Sequence, residues 1–266
     1  MGKTYVGADW HGNWAASKQA LDFLAEDDKL IYLGDCTDRG KYGIKLLKTL
    51  MNDPRVTYIK GNHDEFLEYA IEKEFWDNDS KYIPHISEHK IMNFDTNYWL
   101  TLNGGYNTFK DFLKEIREEK EKILKYIQEM PLTITLVTQQ GNIILEHAGY
   151  TPGVTSMQRH DPLWDRTHFS HEWVISPDTY IVHGHTPVQY LKYDIGYNGE
   201  SPLTEEEKLY KKHFFADEPT DYKPTILRYC NGHKFDLDMC TVYSDRVALL
   251  DLDTFKEYYF DGKDEE

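Results

Sequence analysis

The chain has 266 residues, of which 40% are hydrophobic and 29% charged, with a formal net charge of -16. This composition affords a packed core and excludes a disordered polymer. The acidity argues against a protein whose main task is gripping a nucleic-acid backbone, which calls for basic patches.

In chain order, "TYVGA" (4–8), "LIYLG" (30–34) and "VTYIKG" (56–61) predict buried strands. Between them, "WAASKQALDFLAEDD" predicts a helix with Ala16, Ala20, Phe23 and Leu24 on one face. "YGIKLLKTLMND" predicts a second, with Ile44, Leu47 and Leu50 inward. Strand, helix, strand, helix, strand implies parallel pairing with right-handed crossovers. Residues 65–130 are expected to be mostly helical, broken near "DNDSKYIPH" and "TLNGGYN". Their last piece (108–130) reads as one charged, solvated helix stopped by Pro131. Beyond Pro131, "LTITLVT", "NIILEHAG", "TYIVHGH", "TILRYCN", "FDLDM", "RVALLDLD" and "KEYYFD" are rich in Val, Ile, Thr and Tyr and predict strands. The first two form a hairpin about residues 139–142. Residues 196–224 read as a surface insertion with one short helix. Apolar runs continue across the middle of the chain. The expectation is therefore a single α/β domain over 1–266, with two packed mixed sheets flanked by helices.

Three cysteines, Cys36, Cys230 and Cys240, make no C-x-x-C pair, which suits a reducing compartment rather than a disulfide framework. No apolar run approaches the length of a membrane span, and "MGKTYVGADWHG" lacks a signal-peptide core. A cytoplasmic protein without membrane partners is expected.

The strand ends carry the chemistry. After the first come Asp9, His11 and Gly12; after the second, Asp35, Asp38, Arg39 and Gly40; after the third, Gly61, Asn62, His63 and Asp64. Later strands end in His147 and His185. In open α/β sheets ligands gather at the carboxyl ends of strands. Carboxylates and imidazoles converging from separate rigid elements are what a metal site requires. Each fragment alone has a plainer reading, as a turn or a helix cap; the ordered set does not.

The set D-x-H-G, G-D-x-x-D-R-G, G-N-H-D, H-A-G and G-H-T resembles the calcineurin-like metallophosphoesterases. More narrowly, it is similar to the bacterial and phage branch of the PPP-type serine/threonine protein phosphatases. "PLWDRTHF" (162–169) resembles that family's Leu-Trp-x-Arg segment. "LDMCTVYSDRVALLDLDT" is similar to its closing strands, with Cys240 where the family usually has Gly.

The resemblance implies a calcineurin-like fold and two divalent transition-metal ions, manganese first and iron or zinc as alternatives. Asp9 and His11 would hold the first ion, Asn62, His147 and His185 the second, and Asp35 would bridge them. His63 would be the general acid, steadied by Asp38. Arg39 and Arg166 would clamp the phosphate. The implied reaction is hydrolysis of phosphomonoesters, above all phosphoserine and phosphothreonine in proteins, by a hydroxide held between the ions. The alternative is a nucleotide phosphoesterase: a diadenosine polyphosphate hydrolase, a cyclic phosphodiesterase or a nucleic-acid end phosphatase. The partner is a phosphorylated substrate, and nucleic acid is disfavoured. His183, two residues before His185, would point to the same side if the strand continued. It is read as supporting or core, and Cys36 as a small packed residue.

Overall fold

The computed structural model describes residues 2–78, 96–150, 162–166, 174–189 and 223–265. The 196–224 insertion falls almost wholly outside these residues, as do His160, His168 and His171.

The three N-terminal strands form where the apolar runs predict: β1 (Thr4–Gly7), β2 (Lys29–Tyr32) and β3 (Val56–Tyr58). They pair in parallel, Val6 beside Ile31 and Ile31 beside Thr57. The crossovers are α1 (Trp14–Phe23) and α2 (Gly43–Asn52). Asn13 caps α1, its Oδ1 accepting from the Ala16 amide at 2.9 Å, which satisfies one of the helix's orphan donors. Ala16, Ala20 and Leu24 are buried as expected. Phe23 instead lies at the rim, 40% exposed, edge-on to Tyr5 and tilted against Tyr258.

The helical stretch comprises α3 (Asn62–Asn78), α4 (Thr96–Leu102), α5 (Tyr106–Lys114) and α6 (Arg117–Glu129). The expected single helix over 108–130 is two. Glu115 and Ile116 take extended backbone between them. The apolar spacing Phe112, Ile116, Ile123, Ile127 reads through the break, but Ile116 is 66% exposed and takes no part in the core. Bending there lets α5 lie against α2 while α6 packs on α3. The Lys48–Glu115 ion pair closes the corner at 2.8 Å.

The remaining strands are β4 (Thr133–Thr138), β5 (Gly141–Glu146), β6 (Thr179–His183), β7 (Leu227–Tyr229), β8 (Lys234–Asp236), β9 (Arg246–Asp251) and β10 (Glu257–Asp261). The single turn α7 (Thr241–Ser244) interrupts the closing segment. The β4–β5 turn is Gln139–Gln140, tighter than expected, since Thr138 already pairs with Gly141. The two sheets run β10-β9-β1-β2-β3 and β4-β5-β6-β8-β7, each mixing parallel and antiparallel pairs. This is the expected pair of mixed sheets with helices on the flank.

Both faces of the first sheet are buried, and its side chains alternate between them. Tyr5, Leu30, Tyr32, Val247 and Leu249 pack with the helices. Val6, Ile31, Ala248 and Leu250 pack with Ile143, Leu145, Val182 and Phe235 of the second sheet. Facing the sheets in this way brings the ends of β1, β2 and β3 to the ends of β5 and β6.

Candidate metal centre

Leaving β2, the chain passes Leu33 and Gly34 and turns at Asp35. The Asp35 carboxylate meets the start of α3, where its Oδ1 accepts from the His63 amide at 2.9 Å. Helix N-termini favour anions for this reason. Asp64, one residue further on, accepts from the amides of Gly61 at 2.9 Å and Asp35 at 3.2 Å, and from the Tyr58 hydroxyl at 2.9 Å. It thus ties the β2 turn to the helix that carries Asn62 and His63. Burial, with the Asp35 charge beside it, raises the Asp64 carboxyl to about 7.

Two groups of ligand-type side chains come within 4.8 Å: His11, Asp35 and His63, and Asp35, His147 and His185. All are buried, and Asp35 belongs to both. Asn62 joins the second group. Its Oδ1 lies 2.9 Å from His147 Nε2 and 2.8 Å from His185 Nδ1. His147 Nδ1 donates to the Leu33 carbonyl at 2.6 Å, which turns the Nε2 lone pair of the neutral ring toward Asn62 Oδ1 and, at 3.4 Å, Asp35 Oδ2. Converging lone pairs call for a proton or a cation between them. Burial works against a charged His147, but the Asp35 charge overrides it and raises the ring.

Asp9 lies at the edge of the first group, Oδ1 4.0 Å from His11 Nε2. Its Oδ2 accepts from the His185 amide at 3.0 Å. Gly184 is needed for this approach, since a Cβ there would stand 1.9 Å from Asp9 Oδ2. Asp9 Oδ1 and His185 Nε2 are buried with no hydrogen-bond partner among the described residues. Burial, then the Asp238 and Asp35 charges, push the Asp9 carboxyl well up. Asp35 moves the other way: burial opposes its charge, but His147 and His63 outweigh it and hold the carboxyl well below its ordinary value. Orphaned buried acceptors and crowded carboxylates suit a site for divalent cations, and the mix of oxygen and imidazole donors suits a transition metal.

His63 Nδ1 donates to Asp38 Oδ2 at 2.7 Å. His11 Nδ1 donates to the Thr37 carbonyl at 2.9 Å, leaving Nε2 as the acceptor. Burial, then the Arg39 and His63 charges, lower His11 far below its ordinary value and keep it neutral, as a ligand must be. Arg39 spans the two rings, Nη1 2.8 Å from His11 Nε2 and Nη2 3.0 Å from His63 Nε2. Arg166 is exposed, yet its charge acts on His185, Asp236 and Asp238. Both arginines therefore border the ligand groups, Arg39 in direct contact.

His183 belongs to neither group. Its strand ends there, and His185 takes left-handed backbone at φ 69, so the two rings diverge instead of sharing a side. His183 Nδ1 donates to the Gly184 carbonyl at 3.0 Å and Nε2 accepts from the Tyr229 hydroxyl at 2.7 Å. Burial lowers the ring to about 3.

Asp9, His11, Asp35, Asp38, Arg39 and His185 all have positive φ. Such backbone costs about 1–3 kcal/mol per residue and concentrates at functional sites. Cys240 is also left-handed, at φ 51, which accounts for a glycine being the easier residue at that turn. Cys36 is fully buried, as expected.

Several contributors carry no local signal in the sequence. Trp99 Nε1 donates to Asp38 Oδ2 at 2.5 Å from 61 residues away. Asp238, wholly buried beside Asp9, has an unpartnered Oδ2. The Asp64 ties could have been read from "GNHD", because an acid three residues after a helix-capping Gly is a capping pattern.

Among solved structures, a candidate diadenosine tetraphosphatase aligns with 99% of this chain and 95% of its own at a TM-score of 0.56 and 14% identity. A cold-active protein tyrosine phosphatase aligns with 94% of this chain and 74% of its own at a TM-score of 0.50 and 15% identity. At such identities the likeness is one of fold. Serine/threonine-protein phosphatase 2 of Salmonella typhimurium is 27% identical over 149 residues, and that of Escherichia coli 27% over 152. These alignments cover 55% and 56% of this chain but only 58% and 59% of the relatives, less than two thirds of their length. The calcineurin-like phosphoesterase profile matches residues 2–233. With that match over most of its length, the chain belongs to the calcineurin-like phosphoesterase family.

Proposed function

We propose that the chain is one metallophosphoesterase domain that hydrolyses phosphomonoesters, most fittingly phosphoserine and phosphothreonine in proteins. The observation that carries this reading is Asp35. It is common to two buried ligand groups, and beside it stand a His63–Asp38 pair and an arginine. The partial likeness to the bacterial serine/threonine phosphatases supports the choice of substrate.

In this reading Asp9, His11 and Asp35 hold one divalent ion, and Asp35, Asn62, His147 and His185 the other, with manganese the first choice. The two ions, when bound, polarise the phosphoryl oxygen and supply the attacking nucleophile from water at neutral pH. Arg39 receives the phosphate through its guanidinium fork, with Arg166 closing from the rim. Drawing Arg39 onto the phosphate frees His63 Nε2 of its present donor, so that Nε2 can take up a proton from water. His63 then gives that proton to the leaving oxygen, while Asp38, bonded to Nδ1, holds the ring and steadies its positive charge. The three cysteines form no disulfide among the described residues, which suits a cytoplasmic setting. No helix among those residues is long and apolar enough to cross a membrane.

The test is a rate panel on the metal-loaded protein: phosphoserine, phosphothreonine and phosphotyrosine peptides against dinucleotide polyphosphates and cyclic nucleotides. Phosphoserine and phosphothreonine peptides are expected to turn over fastest, and a chelator to abolish turnover. Faster cleavage of a dinucleotide polyphosphate would move the substrate to nucleotides. Turnover that survives chelation would remove the metal reading altogether.

A further inference from the structure

The helical stretch between His63 and the second sheet carries no motif of metal or phosphate chemistry, yet its α4–α5 turn grips the Asp38–Arg39 pair at three points. Trp99 Nε1, from a buried side chain on the otherwise largely exposed α4, donates to Asp38 Oδ2, the oxygen that also accepts from His63 Nδ1. The Asp38 amide donates to Thr108 Oγ1 of α5 at 2.8 Å. The Arg39 amide donates to the Gly104 carbonyl at 2.8 Å.

These contacts fall where the chain most needs holding. Asp38 and Arg39 are consecutive non-glycine residues in left-handed backbone, at φ 66 and 61. That conformation is disfavoured for each and persists only where the surroundings impose it. Gly104, itself at φ 79, lies so close that a Cβ would stand 2.8 Å from the Arg39 amide nitrogen. Two donors on one carboxylate oxygen leave Asp38 little freedom to rotate away from His63.

We propose that Trp99 and Thr108 are positioning residues for the acid step, Trp99 by fixing the Asp38 carboxylate and Thr108 by fixing its backbone. The Gly104 carbonyl anchors Arg39 in the same way. This rests on the reading of His63 as general acid and goes beyond it by giving the helical segment a part in the chemistry. A misplaced acid slows only those substrates whose leaving oxygen must be protonated, so the effect depends on the leaving group.

The experiment compares wild type, Trp99→Phe and His63→Asn on two substrates, a phosphoserine peptide and 2,4-dinitrophenyl phosphate, whose phenolate departs without a proton. Bound metal is measured alongside. Trp99→Phe keeps the buried ring and removes the donor. It is expected to lose about 10-fold in kcat on the peptide and less than about 3-fold on the activated ester, with metal content unchanged. Equal loss on both substrates, loss of metal, or no loss on the peptide would overturn the positioning role. If His63→Asn itself shows no such split, the acid reading falls first; if it shows the split and Trp99→Phe does not, only the positioning falls. Should Trp99→Phe fail to fold, Thr108→Val against Thr108→Ser decides. Only Val, which lacks the hydroxyl, is expected to show the split, and Ser to restore wild-type behaviour. Identical behaviour of the two would overturn the proposal.

Discussion

The ends of β1, β2 and β3 deliver Asp9, His11, Asp35, Asp38, Arg39, Asn62 and His63, whereas those of β5 and β6 deliver only His147 and His185. The first set lies within 55 residues of chain. It mixes carboxylates, a guanidinium and imidazoles on strained turns, and tertiary contacts from α4 and α5 brace it. The second set consists of imidazoles held by backbone: His147 by the Leu33 carbonyl, His185 by its own amide on Asp9. The contrast suggests a division of labour. In the proposed function, the first sheet would handle the phosphate and the proton as well as ions, and the second would complete the ion site.

That division can be broken experimentally. The largest effect is expected of His185→Ala, which should release the second ion and lower turnover by at least about 100-fold, beyond the range typical of residues that merely support a ligand. Metal analysis with steady-state kinetics measures both, and two ions still bound would end the assignment of the second sheet. Arg39→Ala should cost about 10–100-fold in kcat/KM, as befits charge-assisted contacts to phosphate, and leave the metal in place. A loss of metal instead would make Arg39 part of the ion site. His183→Ala should change turnover by only a few fold while lowering stability by about 1–3 kcal/mol, because it removes a buried ring and its hydrogen bond from the Tyr229 hydroxyl. Denaturant unfolding checks this, and severe loss of activity with normal stability would move the ligand from His185 to His183.

The smallest effect serves as a baseline for a charge remote from the site, at the C-terminal end of α2. The side-chain hydrogen bonds from Arg55 hold the Asp53 carboxyl below its ordinary 3.8, with burial opposing them. A folded value below the unfolded one stabilises above about pH 3.8, and the stabilisation is lost as pH falls through the folded value. Asp53→Asn should therefore lower the thermal midpoint slightly at neutral pH, by less than about 1 kcal/mol in stability. The two proteins should converge in acid, below the folded value. Thermal unfolding across pH checks the convergence, and a gap that widens in acid would reverse the sign.

The legible parts of the molecule were those written in short-range pattern. Short apolar runs announced β1, β2 and β3, and a polar cluster followed each, so the site's strand-end residues could be picked out one by one. The second sheet was legible for the same reason, down to the hairpin turn, which is two residues shorter than expected. The corner at Glu115–Ile116 was not, since it holds neither Gly nor Pro and the helical spacing runs straight through it. What makes the corner is the competing demand of α2 and α3 for the faces of α5 and α6. His183 and His185 were expected to share a side because alternation was carried one step past the end of β6.

By itself the sequence determined which residue types stand at which strand ends, because a short apolar run and a following glycine or acid are local properties of the chain. Only the tertiary structure decided which of them meet. Asp35 belongs to both ligand groups because the two sheets pack face to face. Asp38 is gripped by Trp99 because α4 folds back over a turn 61 residues earlier. Contacts of that range leave no periodicity to read, since burial and hydrogen bonding between distant segments constrain shape rather than spacing.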